Sequence, residues 1–293
     1  MAGLCAMFVL GRGGVRAAWE EFTAFIGLEG PPAPASASVL SEHETESLDG
    51  MTPQSQAELL LTRSINHFRG ANEEIATRLL GWAGRIELND RLNSLFMTAF
   101  NSNDLRVRAA AIEVSLVARH REKTTATMDS LEALARSGEK ALRSGALWDI
   151  ALLGNRGVDP PRAAEILLAS IHDENVDIRY WTVEGLAHLG TDATIEPLLQ
   201  ALHDDPSPLI RERAACSLAQ SGMLSEKQRS SAMPKLLDYA VDPALDPETL
   251  KWVFQAMRDI TGQNLGADAA AWRNWYDSGD ALRTPVTHDG TVP

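Results

Sequence analysis

Apolar residues recur at intervals of three and four positions along most of this 293-residue chain. The clearest example begins after Arg179, where small or apolar residues stand at offsets three, four, seven and eight. They are Thr182, Val183, Leu186 and Ala187. This spacing places the four side chains on one face of an α-helix. Similar stripes follow Arg143 and Arg211, so the pattern predicts several helices of one kind.

The stripes repeat at a regular distance. Each begins near a basic residue, and an acidic residue lies four to six positions before most of these anchors. The anchors are Arg78, Arg108, Arg143, Arg179, Arg211 and Lys251, with intervals of 30, 35, 36, 32 and 40 residues. A period of this length with two helices per unit is typical of stacked repeats. Residues 57–277 are therefore predicted to form an all-α, right-handed α-solenoid of about six helix pairs.

A glycine stands eleven residues after several anchors. The four glycines are Gly154, Gly190, Gly222 and Gly262. Glycine adopts the left-handed backbone conformation that ends many helices without steric cost. We therefore expect each of these glycines to terminate the second helix of its pair.

The ends of the chain differ from the repeats. An apolar stripe of Val15, Trp19, Phe22 and Ile26 predicts a short amphipathic helix in an N-terminal arm, residues 1–28. Residues 29–56 are rich in Pro, Ala and Ser and are interpreted as a flexible linker; a true start at Met51 is the alternative. Residues 263–277 are expected to cap the last repeat, and residues 278–293 to form a disordered tail.

Composition and net charge argue against several classes of protein. Twenty-seven basic and forty acidic side chains give a net charge of −13, which repels nucleic acid and anionic membranes. The chain contains no apolar run long enough to span a bilayer. Its two cysteines, Cys5 and Cys216, form no disulfide framework, so we expect a reducing, cytoplasmic compartment. No catalytic, cofactor-binding or metal-binding motif is present, which favours a non-catalytic protein without cofactors.

Three segments carry a resemblance to a known family. Residues 173–190 and 204–222 resemble the second half of HEAT repeats, and Pro197 matches the kinked first helix of that family. Residues 260–275 are similar to the closing segment of many bacterial HEAT-repeat proteins. The resemblance implies a HEAT-like, armadillo-type superhelix with its second helices on a concave face. It also implies a structural ladder of arginines that pair with turn acids of adjacent repeats: Arg108, Arg143, Arg179 and Arg211.

A partner-binding surface is predicted on the second helices. Residues at offsets one, two, five and nine from the anchors point away from the apolar stripe. They are Trp148, Leu152, Trp181, Glu184, His188, Arg213, Gln220 and Trp252. Tryptophan and arginine are common at interface hot spots, so we expect the concave face to bind a helix or extended peptide of a protein partner. The acidic balance favours a basic or amphipathic segment. The alternative is that the tryptophans fill gaps between helices.

Other functional hypotheses remain open from the sequence. His172–Asp173 and His203–Asp204 occupy equivalent repeat positions, but no third metal ligand accompanies them. Proteins with HEAT-like folds include bilin lyases and DNA alkylpurine glycosylases, and Trp148–Asp149 superficially suits the latter. The arm around Trp19 is expected to occupy the groove or another chain, so arm-mediated self-association is a further possibility.

Overall fold

The computed structural model describes residues 38–279. The predicted arm over residues 1–28 and nearly all of the predicted tail lie outside the described residues. Between residues 38 and 279 the chain is α-helical and forms no β-strand, although an isolated bridge joins Val39 and Arg69. The chain divides into two compact units between Lys123 and Thr124.

The first unit contains five described helices. They are α1 (Glu42–Leu48), α2 (Pro53–Ile65), α3 (Ala71–Trp82), α4 (Asp90–Phe100) and α5 (Leu105–Ala118). Helix α2 packs against α3, and α4 packs against α5. Thr52, Asn89 and Asp104 cap α2, α4 and α5, each accepting a hydrogen bond from a backbone N–H of the first turn. The unit therefore consists of two helix pairs preceded by one short helix.

The short helix α1 corrects the predicted boundary of the linker. Ser41 and Glu44 form a capping box at its start, and Leu48 at its end is completely buried in the core of the first unit. Gln56 donates a hydrogen bond of 2.7 Å to the carbonyl of Leu48 and accepts one of 2.8 Å from the Trp82 indole. The prediction of a flexible linker is therefore wrong from residue 42 onward. Residues 42–50, which precede Met51, belong to the folded unit.

The second unit contains ten described α-helices and a short 3₁₀ turn, Asp192–Thr194. They are α6 (Thr125–Ala135), α7 (Lys140–Asn155), α8 (Pro160–Leu168), α9 (Val176–Leu189), α10 (Ile195–Asp204), α11 (Pro208–Ala219), α12 (Glu226–Ser231), α13 (Met233–Tyr239), α14 (Pro247–Thr261) and α15 (Ala269–Asp277).

The helices of the second unit pack as consecutive pairs. Helices α6, α8, α10 and α13 are the first helices, and each packs against the helix that follows it in its pair. The second helices α7, α9, α11 and α14 also pack against one another in that order. With the two pairs of the first unit, residues 38–279 contain six pairs. The prediction of an all-α solenoid of about six pairs is thus confirmed, although its pairs fall into two units rather than one domain.

The four glycines that were expected to end the second helices do not all have the same role. Gly190 and Gly262 follow α9 and α14 directly, with φ of 64° and 69°, so they are left-handed caps as predicted. Gly222 has φ of 72° and lies in the turn after α11. Gly154 differs, because it lies inside α7. A Cβ at Gly154 would stand 2.6 Å from the Cβ of Ala163, so this glycine is required by close helix packing and not by a cap.

Candidate interaction surface on the second helices

Arginines at the heads of the second helices reach the turn of the next pair. The Arg179 guanidinium donates to both carboxylate oxygens of Asp205, at 2.8 and 3.1 Å. Arg211 donates to Asp246 at 3.1 Å and to the Thr249 hydroxyl at 2.8 Å. Arg143 donates to Asp173 in the same way. These three arginines therefore link consecutive helix pairs of the second unit at one position of each repeat.

Two of these arginines, Arg179 and Arg211, also bind the turn that precedes their own helix. Arg179 donates to the carbonyl of Asp173 at 2.9 Å, and Arg211 donates to the carbonyl of Asp205 at 2.8 Å. In the first unit, Arg108 likewise donates to the carbonyl of Ser102, six residues upstream. Each guanidinium thus holds its own turn. Asp205, the acid just before the anchor Arg211, contributes twice. Its backbone carbonyl accepts a hydrogen bond from Arg211, and its carboxylate accepts hydrogen bonds from Arg179 of the preceding repeat.

The second helices of the second unit each expose one face. Most of the exposed residues on α7, α9, α11 and α14 recur at intervals of three or four, so they lie along one side of each helix. We call them the exposed row: Ala141, Gly145, Asp177, Trp181, Leu209, Glu212, Cys216, Gln220, Glu248, Lys251 and Gln255. These four helices pack in sequence, and the row contains two of the predicted partner-binding residues, Trp181 and Gln220.

An aromatic cluster lies at the α7–α9 end of the exposed row. Trp181 is 37% exposed, and its ring is edge-on to the rings of Trp148 and Tyr180, with centroids 5.9 and 5.8 Å away. The ring of Trp148 also packs against His188 at 4.5 Å. Edge-to-face contacts of this kind favour a fixed ring orientation. Trp181 is therefore a large apolar side chain held in place at the surface.

An ion pair joins α9 to α11 beside this cluster. The Nε of Arg213 lies 2.6 Å from one carboxylate oxygen of Glu184, and its Nη2 donates to the other at 3.2 Å. Burial raises the pKa of Glu184, although the Arg213 charge and a hydrogen bond with Tyr180 oppose the shift. Burial also raises the pKa of Tyr180, and the charge of Glu184 adds to this. The pair thus ties the aromatic cluster to the next repeat.

The structure changes the predicted set of partner-binding residues. Leu152 is fully buried and His188 is 4% exposed, so the prediction that they face a partner is wrong. Leu152 and His188 each lie two helical turns beyond the last exposed-row residue of their helix, where neighbouring helices enclose them. Glu184 is also buried, at 8% exposure, and its carboxylate is engaged with Arg213. Leu152, Glu184 and His188 therefore belong to the packing beneath the exposed row.

The remaining predicted residues have some access to solvent. Trp181 and Gln220 are exposed, while Trp148, Arg213 and Trp252 are half-buried. Trp252 lies on α14 between the exposed residues Lys251 and Gln255. Asp149, which the glycosylase hypothesis required, is 1% exposed and does not belong to the exposed row.

Nine of the eleven residues of the exposed row, three of them on α11, escaped the sequence-based selection. Leu209 is 50% exposed, and Glu212 and Cys216 follow it at intervals of three and four on α11. Leu209 stands two positions before the anchor Arg211, outside the offsets used, whereas Glu212 and Cys216 stand at offsets one and five and were not selected. The recurrence of exposed positions every three or four residues along one helix identifies these residues. Burial raises the pKa of the Cys216 thiol; Arg213 opposes this shift, and the Glu212 and Asp259 carboxylates add to it.

Across residues 38–279, no three His, Cys, Asp or Glu side chains are grouped so that they could hold a metal ion. His203 instead contacts the carboxylates of Asp204 and Asp242. None of the described helices has the length and apolar character needed to cross a membrane.

Comparison with known proteins identifies the repeats. A family profile described as HEAT repeats matches residues 128–219. The matched segment begins in α6 and ends with α11, so it covers three consecutive helix pairs and the arginine contacts between them. No curated protein sequence matches the chain. The helix pairs of residues 128–219 therefore belong to the HEAT-repeat family, and the chain contains HEAT repeats within an all-α fold.

Proposed function

We propose that the second unit is a non-catalytic scaffold whose exposed row binds a basic or amphipathic segment of a protein partner, as a helix or an extended peptide. HEAT repeats generally mediate protein interactions. One observation carries the proposal: Trp181 stays 37% exposed although Trp148 and Tyr180 hold its ring. A rigid, exposed indole loses little conformational entropy on binding and is a frequent interface hot spot.

The charge of the exposed row supports the choice of partner. Its acidic members are Asp177, Glu212 and Glu248, and its basic member is Lys251. Asp177 already pairs with Lys140, whereas no ion pair joins Glu212 to another residue of the described range. A basic segment would gain a counter-charge at Glu212 and apolar contact at Trp181. Complementary charge of this kind promotes association and selects partners.

A peptide selection tests the proposal. Random peptides displayed on phage are selected on the full-length protein, and the enriched peptides are then measured against Trp181→Ala. We expect enriched peptides to combine basic and aromatic or aliphatic residues, and to lose about tenfold or more in affinity for the variant, because a hot-spot side chain contributes about 2 kcal/mol or more.

Val241→Ala is the matched control. Val241 is also apolar and 66% exposed, but it lies in the loop after α13, outside the exposed row. Its removal is expected to leave peptide affinity unchanged. Peptides that bind Trp181→Ala as tightly as the wild-type protein, or that show no excess of basic residues, would refute the proposal. Circular dichroism establishes that both variants retain their helical content.

The two half-buried tryptophans and the predicted N-terminal arm contribute less to this proposal than Trp181. Trp148 supports Trp181 from α7, and Trp252 adds an apolar side chain on α14. Arm-mediated self-association stays a prediction, since residues 1–28 lie outside the described residues.

A further inference from the structure

His203 lies between two carboxylates at the end of α10. Its Nδ1 is 2.5 Å from a carboxylate oxygen of Asp204, the next residue, and its Nε2 is 3.1 Å from a carboxylate oxygen of Asp242. Asp242 belongs to the loop after α13, in the following helix pair. The imidazole ring packs on the ring of Tyr239, with centroids 4.5 Å apart. The histidine therefore connects two first helices of neighbouring repeats.

This geometry requires a particular protonation state. A carboxylate can only accept hydrogen bonds, and a neutral imidazole carries one N–H and one bare nitrogen. Both ring nitrogens can donate to Asp204 and Asp242 only when the imidazole is protonated. In the neutral ring, one nitrogen lone pair would face a carboxylate oxygen, so one of the two contacts would be lost.

The surrounding charges reinforce the protonated form. The carboxylates of Asp204 and Asp242 act on His203 directly. The charged groups around its two neighbours, Tyr239 and Asp242, are mostly acidic: Glu196 and Asp238 act on Tyr239, and Lys235, the basic member, acts on Asp242. The Lys235 ammonium lies over the Tyr239 ring at 5.4 Å, on the ring that also contacts His203.

Other elements packed against α10 bring no unbound cation towards His203. Helices α9 and α11 contribute Arg179 and Arg211, whose guanidiniums bind Asp205 and Asp246. The 3₁₀ turn contributes Asp192, which accepts a hydrogen bond from Gln228. The electrostatic field at His203 is therefore dominated by the carboxylates of Asp204 and Asp242.

We propose that His203 is a protonation-dependent clamp that joins α10 to the α13–α14 pair, so the C-terminal end of the second unit opens more readily as the imidazole loses its proton. The clamp acts on the first helices and is independent of peptide binding at the exposed row. Burial on its own lowers the pKa of His203, but the hydrogen bonds to Asp204 and Asp242 outweigh burial and raise it.

The sign of the pH dependence follows from the raised pKa. A histidine whose pKa is higher in the folded state contributes stability that is fully present below the unfolded pKa of about 6.5. That contribution is lost as pH rises through the folded pKa. The clamp is therefore closed below the unfolded pKa and released above the folded pKa.

The preceding repeat contains a natural control. His172 occupies the position equivalent to His203, and Asp173 follows it as Asp204 follows His203. His172 is exposed, and no hydrogen bond or ion pair joins it to another residue between 38 and 279. Asp173 is bound instead by Arg143. Substitution of His172 removes the same side chain without removing a clamp.

Hydrogen–deuterium exchange of the full-length protein tests the proposal. Peptides that cover Met233–Tyr239 are followed at about pH 6 and about pH 8, with correction for the intrinsic exchange rate. We expect about three- to tenfold greater protection at the lower pH, which is the range for one charge-assisted contact at a partly exposed site. His203→Gln and Asp242→Asn should remove the difference, and His172→Gln should retain it.

A second measurement keeps the proposal testable if a variant is poorly folded. NMR titration of the imidazole signals, assigned with His203→Gln, gives the pKa of His203 in the wild-type protein. A pKa above about 6.5 that falls in Asp242→Asn supports the clamp. A pKa below that value, or a pH-dependent protection that persists in His203→Gln, overturns it.

Discussion

Arg179 and Asp205 form a two-point ion pair between consecutive helix pairs. The two side chains are 10% and 6% exposed, so the pair lies almost entirely out of water. The carbonyl of Asp205 also accepts a hydrogen bond from Arg211. Asp205 therefore binds the arginine of its own repeat through the backbone and the arginine of the preceding repeat through the side chain, which makes this turn a point where two helix pairs are connected.

Removal of Arg179 should destabilise the protein strongly. Arg179→Ala leaves the Asp205 carboxylate buried without its counter-charge, which costs about 3–5 kcal/mol of unfolding free energy. Urea denaturation followed by circular dichroism measures the change. Lys140→Ala is the matched control, because the Lys140–Asp177 pair also joins two repeats but its side chains are 55% and 51% exposed. The control is expected to change stability by less than about 1 kcal/mol. Equal effects of the two substitutions would contradict this account.

Gly222 should tolerate no side chain. Its φ is 72°, and a Cβ would stand 2.2 Å from the Ala187 carbonyl oxygen. The neighbouring Met223 amide donates to that same oxygen at 2.7 Å, so the turn cannot easily move away. We expect Gly222→Ala to lower the unfolding free energy by at least about 1–3 kcal/mol.

A helical glycine with open surroundings provides the comparison. Gly145 lies in α7, and a Cβ there would meet no atom within 4 Å. Gly145→Ala should raise stability by about 0.5–1 kcal/mol, since alanine loses less backbone entropy in a helix. Thermal unfolding of both variants checks the pair, and a stabilised Gly222→Ala protein would show that the turn is not constrained as described.

Acid should weaken the contact between α11 and α14. Hydrogen bonds from the Thr249 hydroxyl and backbone lower the pKa of Asp246, and the Arg211 charge contributes. A carboxylate with a lowered folded pKa contributes stability that is present above its unfolded pKa of about 3.8 and is lost as pH falls through the folded value. The thermal midpoint should therefore drop less steeply below about pH 4 in Asp246→Asn. Glu226→Gln, which removes a different exposed acid, controls for net charge; a wild-type slope in Asp246→Asn would disprove the role.

The C-terminal helix should depend on one of its two tryptophans. Trp272 is fully buried, and its indole N–H donates to the Gly266 carbonyl at 2.9 Å. Trp272→Ala should cost about 3–5 kcal/mol, because it leaves a large cavity and an unpaired carbonyl. Trp275 packs edge-on against Trp272 but is half-buried, so Trp275→Ala should cost clearly less. Chemical denaturation compares the two, and a larger loss in Trp275→Ala would contradict the assignment of Trp272 as the anchor.

The repeat architecture could be predicted because its signal is local. Apolar residues at helical spacing after Arg143, Arg179 and Arg211 define second helices whatever they later pack against. The left-handed glycines after α9 and α14 were predictable for the same reason, since a cap depends on a few neighbouring residues. Gly154 shows the limit of this reasoning, because its role comes from Ala163 on a different helix.

The sequence by itself determined the helix-pair period, the all-α class and the positions of the arginine anchors, because each depends on residues within one or two turns. Only the tertiary structure decided that Arg179 binds an acid 26 residues later and that Leu48 lies in a core. It also decided that Leu152 is enclosed while Trp181 is open to solvent. Both are outward positions by spacing along their helices, and their difference arises from the neighbouring helices that pack over one and leave the other uncovered.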